Sequence, residues 1–330
     1  MLRTFVPQTF EQAIDVSDVA RLRRRLRRNL AIMQTITAIL LTTAIGVAAF
    51  PAILQFESSR DIAGTVATSA KEIAGWPRSE TQDALDAAKA YNEELAAAGQ
   101  PVLGEAVDPF AQMSGGTQTD DDSAAAKDDR YQSLLDAGGG VMATVKVPKQ
   151  SINLPVYHGT SEAALASGAG HLYGTSLPVG GESTHSVITG HRGLVAALMF
   201  TRLDEVQVGD YFYIEVMGQT LGYEVDRISV IEPDDTDQLR IVDGEDRVTL
   251  MTCTPYGVNT HRLLVSGHRV AIPIPAPAPE DVHDGRTIGL AAGGGTLALG
   301  WAAALLRRRR RAGRLMRHAA FRPGWPQAKG

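Results

Sequence analysis

Three residue types that could carry acyl-transfer chemistry occur in the order His191, Cys253 and Arg262. Cys253 is the only cysteine among the 330 residues, and a thiol becomes a strong nucleophile where a nearby imidazolium favours the thiolate. A fixed guanidinium would stabilise the negative charge of a tetrahedral intermediate. A cysteine without such neighbours is usually a small, buried apolar residue. The glycine-flanked His191 upstream is what favours catalysis over simple packing.

The residues around each candidate predict that it lies at the end of a strand. A β-branched run over residues 248–252 leads to Cys253. Thr254-Pro255-Tyr256-Gly257 then breaks the strand, because proline cannot donate to a sheet and glycine suits tight turns. Arg262 opens the next apolar run, so two neighbouring strands would place the thiol beside the guanidinium. His191 follows a third apolar run and is expected to converge on the same place.

These segments resemble those of the sortases. The string TLMTC at residues 249–253, followed by Arg262, is similar to the sortase signature TLxTC…R, and TGHRG at residues 189–193 is similar to the sortase histidine region. The longer string TLMTCTPYGVNTHRLLVSGHR resembles the class C, pilin-polymerising sortases, and the resemblance covers residues 138–274. It implies a cysteine transpeptidase that cleaves an LPxTG-like sorting signal between Thr and Gly. The acyl group would be held as a thioester on Cys253 and passed to an amine. The implied partners are pilin or surface proteins that carry such signals, with a pilin lysine as acceptor.

The resemblance also implies a lid. Class C sortases carry an Asp-Pro-aromatic motif upstream of the first barrel strand, and Asp108-Pro109-Phe110 matches it in type and position. By this resemblance Phe110 would cover Cys253, and Asp108 would pair with Arg262. Without the resemblance, the tripeptide would be an ordinary turn. The candidates for lining the sorting-signal groove are Thr189, Thr252, Tyr256 and Asn259.

Other charged residues near the motifs have alternative interpretations. Arg192 is the second candidate for the catalytic cation, although spacing within the Cys253 hairpin favours Arg262. His261 should point away from Arg262, since successive residues of a strand face opposite sides. The two residues interpreted as structural are His268 and Arg269.

A metal site is a weaker interpretation of the histidines. His171 and His185 could act as ligands together with His191. No carboxylate or further histidine lies at a persuasive spacing from them. The sequence therefore predicts neither a metal nor another cofactor.

Charge segregation predicts a membrane protein. Residues 57–286 carry 16 of the 32 basic and 34 of the 37 acidic residues, a net charge of −18, which disfavours nucleic-acid binding. Two uncharged apolar segments, 30–54 and 288–306, adjoin arginine clusters and are long enough to cross a bilayer core. Basic flanks stay in the cytoplasm, so the acidic centre is expected outside it, in a two-pass protein of the cell membrane. A signal peptide cleaved after Ala49 is the alternative for the first segment, but its apolar region is longer than such peptides have.

The predicted fold is mainly β. It is a sortase-like closed β-barrel of about eight strands with short helices, an N-terminal helical appendage and a lid loop, flanked by two transmembrane helices. Ser79 is expected to cap a helix that ends at Gly99, and residues 195–204 are expected to form a short helix after His191. The predicted strands are Val141–Val147, Ile152–Tyr157, Ser186–Thr189, Tyr211–Val216, Gln219–Ile231, Arg247–Thr252 and Arg262–Ile272.

These elements define eight consecutive segments of the chain. The first half comprises a cytoplasmic basic tail (1–29), the first span (30–54), an extracytoplasmic helical region (55–103) and a lid or loop region (104–139). The second half comprises the catalytic barrel (140–274), a Pro-rich linker (275–287), the second span (288–306) and another basic tail (307–330).

Two other functions stay open at this point. A housekeeping sortase would use the same chemistry to anchor surface proteins to peptidoglycan, although the predicted lid and second span argue against it. A membrane-anchored binding module with an inert barrel belongs to a different class of protein. It would lack thiol reactivity, so labelling Cys253 with an electrophile that mimics the sorting signal would separate the two classes.

Overall fold

The computed structural model describes residues 9–10, 15–102, 123–136, 138–272, 292–303 and 306. The chain divides into two compact units. One comprises Met1–Asp61 together with Gly193–Leu198, and the other comprises Ile62–Arg192 together with Met199–Gly330. The second unit contains the strands and all the candidate catalytic residues, so the following description centres on it.

A long helix, α1, covers Ser17–Gly75 and contains the predicted first span. The apolar side chains of residues 30–54 are largely exposed, and the helix continues through Pro51. Among the described residues, α1 is the one helix long and apolar enough to cross a membrane. Residues 292–303 are also helical, but part of the predicted second span lies outside the described residues. The expectation of two flanking membrane helices is therefore supported for one of them.

Helix α2, Arg78–Ala97, begins two residues earlier than a cap at Ser79 would place it. Pro77 takes the N-cap position and no side chain caps the helix, so the expected cap by Ser79 is wrong. Proline suits this place because its fixed φ is compatible with a helix start and its missing N–H costs nothing there. The buried face of α2 consists of Leu85, Ala88 and Asn92.

Asn92 connects this helix to the rest of its unit through a buried side-chain amide. Its Nδ2 donates to the Leu177 carbonyl at 3.0 Å, and its Oδ1 accepts from the Leu177 N–H at 2.7 Å. Asn92→Ala would leave both backbone groups buried without these partners. We expect the free energy of unfolding to fall by about 2–4 kcal/mol, measured by denaturant unfolding. Gln82→Ala on the exposed face is the control and should change it by about 0.5 kcal/mol or less; equal effects of the two substitutions would contradict the prediction.

Eight strands in the described residues close into a barrel, as predicted. They are β1 Val141–Val147, β2 Ile152–His158, β3 Ala169–His171, β4 Thr184–Gly190, β5 Tyr211–Val216, β6 Gln219–Ile231, β7 Asp246–Thr254 and β8 His261–Val270. Their order is β1-β2-β3-β4-β7-β8-β6-β5, and β5 pairs back onto β1. Neighbouring strands are antiparallel except for two parallel pairs, β2–β3 and β4–β7.

Three local features differ from expectation. The three residues of β3 are too few to show a period in the sequence, so this strand was missed. The predicted helix over residues 195–204 is wrong, because only Leu203–Glu205 forms a 3₁₀ turn. The N–H of Phe200 instead donates to the His191 carbonyl at 3.0 Å, and this tertiary bond replaces the local helical one. The predicted loop over 104–139 contains two short helices, α3 Ala124–Lys127 and α4 Asp129–Ser133.

Candidate active site

The antiparallel β7–β8 pair brings the thiol and a guanidinium together. Cys253 is the penultimate residue of β7 and lies directly opposite Arg262, the second residue of β8. The connection between the strands begins with a cis Thr254–Pro255 peptide bond. The hairpin expected from the sequence therefore exists, and its register makes Cys253 and Arg262 direct cross-strand neighbours.

Strand β4 ends just before His191 and places this residue at the same end of the barrel. It runs parallel to β7 with Thr189 beside Met251, so continuing this register by two residues places His191 beside Cys253. The Thr252 hydroxyl donates to the Gly190 carbonyl at 2.6 Å and fixes the two strand ends together. Gly190 is required here, because an added Cβ would lie 2.7 Å from the Phe200 ring.

All three candidate side chains are almost completely buried. Cys253 and His191 are each 1% exposed, and Arg262 is 3% exposed. Burial lowers the pKa of His191 below its usual range, and a nearby carboxylate, Glu162, acts in the opposite direction. Water is thus largely excluded from each of these side chains, which strengthens the electrostatic interactions that they make.

Backbone carbonyls orient the Arg262 guanidinium. Its Nη1 donates to the carbonyls of Asn259 and His261 at 3.1 and 3.0 Å. Asn259 has a left-handed backbone with φ of 60°, a conformation that asparagine tolerates better than most residues. His261 is half-exposed and lies 3.2 Å from Glu232, a contact in which Arg262 has no part.

Arg192, the alternative cation, braces the strand ends. Its Nη1 donates to the Thr254 hydroxyl at 3.0 Å and lies 3.5 Å from the Cys253 carbonyl oxygen. Its Nη2 forms a short ion pair with Asp204, and its guanidinium lies 5.9 Å from the centre of the Tyr256 ring. These contacts engage Arg192 with the end of β7 and with Asp204, whereas the register places Arg262 directly opposite Cys253. Sequence spacing could not reveal this bracing role, because Asp204 lies in a segment expected to be helical.

A short helix that the sequence analysis missed completes the surroundings of the site. Helix α5, Glu162–Ser167, is capped by Ser161, whose hydroxyl accepts from the Ala164 N–H at 3.2 Å. The Glu162 carboxylate lies 3.4 Å from His191 Nε2, and the buried Leu165 side chain packs against Cys253. The one available signal was Ser161, a good N-cap residue before an alanine-rich stretch.

The histidines considered as metal ligands have other roles. His171 lies with Nδ1 2.9 Å from the Tyr131 hydroxyl and Nε2 2.8 Å from the Ser176 carbonyl. His185 lies with Nδ1 2.9 Å from the Arg240 carbonyl and Nε2 2.7 Å from the Thr249 hydroxyl. Burial lowers the pKa of each to about 4, so both are neutral at physiological pH. These contacts use both nitrogens of each ring.

The residues predicted to line the groove differ in how accessible they are to a bound peptide. The predicted lid lies outside the described residues. Thr189 is fully buried and its hydroxyl has no hydrogen-bond partner in the described part of the chain. Thr252 is also buried, and its hydroxyl donates a hydrogen bond to the Gly190 carbonyl. Tyr256 is 59% exposed. The segment Asp108-Pro109-Phe110 is not described by the structure, so its role as a lid stays a prediction.

Comparisons with known proteins identify the family. Residues 145–270 match the family model of the sortase domain. Among solved structures, sortase C1 of GBS Pilus Island 1 is 39% identical, with a TM-score of 0.56 and coverage of 69% of this chain and 98% of that one. Sortase C-1 from Actinomyces oris is 45% identical, with a TM-score of 0.50 and coverage of 58% and 99%. Sortase D of Bacillus subtilis (strain 168) is 27% identical over 162 residues, which are 48% of this chain and 77% of the relative. The chain therefore belongs to the sortase family of cysteine transpeptidases.

Proposed function

We propose that this protein is a class C-like sortase that joins pilin subunits through acyl transfer at Cys253. The observation that carries the proposal is the direct register pair of Cys253 with Arg262, beside the strand that ends at His191. The similarity to sortase C structures, one of them from a pilus island, favours a pilin over a cell-wall precursor as the acceptor. The substrate would be an LPxTG-like sorting signal at the end of a pilin.

The proposed mechanism has two acyl-transfer steps. The Cys253 thiolate attacks the carbonyl carbon of the signal threonine, and Arg262 stabilises the resulting oxyanion. The His191 imidazolium gives its proton to the departing glycine amine as the C–N bond breaks, which leaves a thioester. A pilin lysine amine then attacks the thioester carbonyl and gives a proton to His191. The C–S bond of the thioester breaks, and the Cys253 thiolate is regenerated.

The residues proposed to line the groove offer polar atoms beside the reacting centre. The buried Thr189 hydroxyl and Asn259 Oδ1 have no hydrogen-bond partners among the described residues, so a peptide backbone could satisfy them. Tyr256 is exposed on the β7–β8 connection and offers an aromatic surface to the signal. Thr252 contributes through the backbone geometry of Gly190 rather than through a hydroxyl that is already engaged.

The membrane arrangement is part of the same proposal. Helix α1 contains residues 30–54 and would anchor the enzyme, and residues 288–306 would form the second span. The acidic segment between them, residues 57–286, would then face outward. The lid expected at Asp108-Pro109-Phe110 would restrict access to the buried thiol.

A competition between acceptors tests this proposal. Full-length protein in detergent is given an LPxTG peptide together with a lysine-bearing pilin domain or a peptidoglycan-precursor amine, and mass spectrometry follows the products. We expect transfer to the pilin lysine to be faster by about tenfold or more. Faster transfer to the cell-wall amine would support the housekeeping alternative. The absence of any thioester would support the inert binding module, and Cys253→Ala serves as the blank in both arms.

A further inference from the structure

Helix α5 covers both members of the thiol–imidazole pair with one face. Glu162 lies in its first turn with Oε2 3.4 Å from His191 Nε2. Leu165, three residues later, is fully buried and contacts Cys253. Because residues three apart share a helix face, one short element presents a carboxylate to the imidazole and an apolar side chain to the sulfur.

The surroundings of His191 indicate how the Glu162 carboxylate affects the charge of the imidazole ring. Among the charged or titratable side chains of the described residues, Glu162 from α5 lies 3.4 Å from the ring. Cys253 on β7, Arg262 opposite it on β8 and the adjacent Arg192 belong to the same strand ends. Burial disfavours a positive imidazole, and the Glu162 carboxylate favours it. Among the described residues, Glu162 is thus a carboxylate placed to favour the charged ring. A carboxylate 3.4 Å from Nε2 also favours a ring orientation in which Nε2 carries a proton.

We propose that Glu162 is a positioning residue that holds the His191 ring in one orientation and stabilises its imidazolium form during acyl transfer. The proposal rests on the catalytic role proposed above for His191. Glu162 itself need not touch the peptide, since it acts through the imidazole ring. Its side chain is 46% exposed at the rim of the site, so a substitution there need not disturb the core.

The direct test is a proton titration of the His191 ring by NMR. It uses full-length protein carrying Cys253→Ala, which removes the coupled thiol, with His191→Ala to assign the signal. We expect Glu162→Gln to lower the pKa of His191, because glutamine keeps the shape and removes the charge that raises that pKa. The matched control is Glu232→Gln, which removes a carboxylate 3.2 Å from the half-exposed His261 and should leave the His191 titration unchanged. An unchanged His191 titration in Glu162→Gln would overturn the proposal.

Kinetics give a second and independent readout. With Cys253 present, Glu162→Gln should lower kcat about tenfold and leave KM nearly unchanged, since the acid–base step is impaired and peptide binding is not. Glu162→Asp, which keeps the charge on a shorter stem, should recover part of the loss. A kcat equal to that of the unsubstituted protein, or a loss matched by a fall in thermal stability, would also overturn the proposal. If Cys253→Ala abolishes turnover while Glu162→Gln does not affect it, the proposed function stands and only this inference fails.

Discussion

Replacing Cys253 by alanine is expected to abolish acyl-enzyme formation and to lower transpeptidation by about 10⁴-fold or more, to the limit of detection. The reason is that no other residue can take over as nucleophile, because the chain contains no second cysteine. The measurement is mass spectrometry of the protein after incubation with a sorting-signal peptide, where the unsubstituted enzyme should gain the mass of the acyl fragment. A variant that still joins pilin subunits would show that the proposed mechanism is wrong.

The loss of activity in Cys253→Ala reports on the chemistry only if this variant is shown to fold. Cys253 packs against Leu165, so its truncation to alanine leaves a small cavity and should cost about 1 kcal/mol of unfolding free energy. Thermal unfolding should therefore show a single transition at a slightly lower temperature. If Cys253→Ala lost both its activity and this unfolding transition, the variant would be unfolded and would not test the chemistry. Cys253→Ser, which preserves the side-chain volume more closely, would then test the role of the thiol.

The Cys253–Arg262 contact could be predicted from the sequence because it is local. The two residues belong to consecutive strands joined by a short Pro- and Gly-containing connection. A hairpin of this kind almost fixes its own register. The barrel likewise followed from regularly spaced short strands, which have few other closed arrangements. These predictions needed only neighbouring segments of the chain.

The position of His191 and its partners could not be derived in the same way. Strand β4 pairs with β7 in parallel across about 60 residues, and no local pattern specifies which strand becomes its neighbour. Glu162 lies in a six-residue helix that is too short to show a period. The ion pair between Arg192 and Asp204 formed where a helix was expected. In each case a tertiary contact decided the local structure.

Arg262→Lys should reduce kcat/KM by about 10²–10³-fold although it preserves the charge. The present Nη1 donates to two backbone carbonyls, which holds the planar guanidinium beside Cys253. Lysine offers a single flexible ammonium and cannot keep these bonds while also facing an oxyanion. Steady-state kinetics with a sorting-signal peptide measure the effect, and Arg240→Lys at an exposed position should leave the rate within about twofold.

The same experiment decides between the two candidate cations. Arg192 is held by Asp204 and by the Thr254 hydroxyl, so Arg192→Lys should act mainly by loosening the end of β7. Its defect should therefore appear as lower thermal stability and as a smaller loss of kcat/KM than that of Arg262→Lys. If Arg192→Lys instead loses more than 10²-fold with unchanged stability while Arg262→Lys stays active, Arg192 supplies the oxyanion cation. The cross-strand register of Cys253 with Arg262 would then serve the fold rather than the reaction.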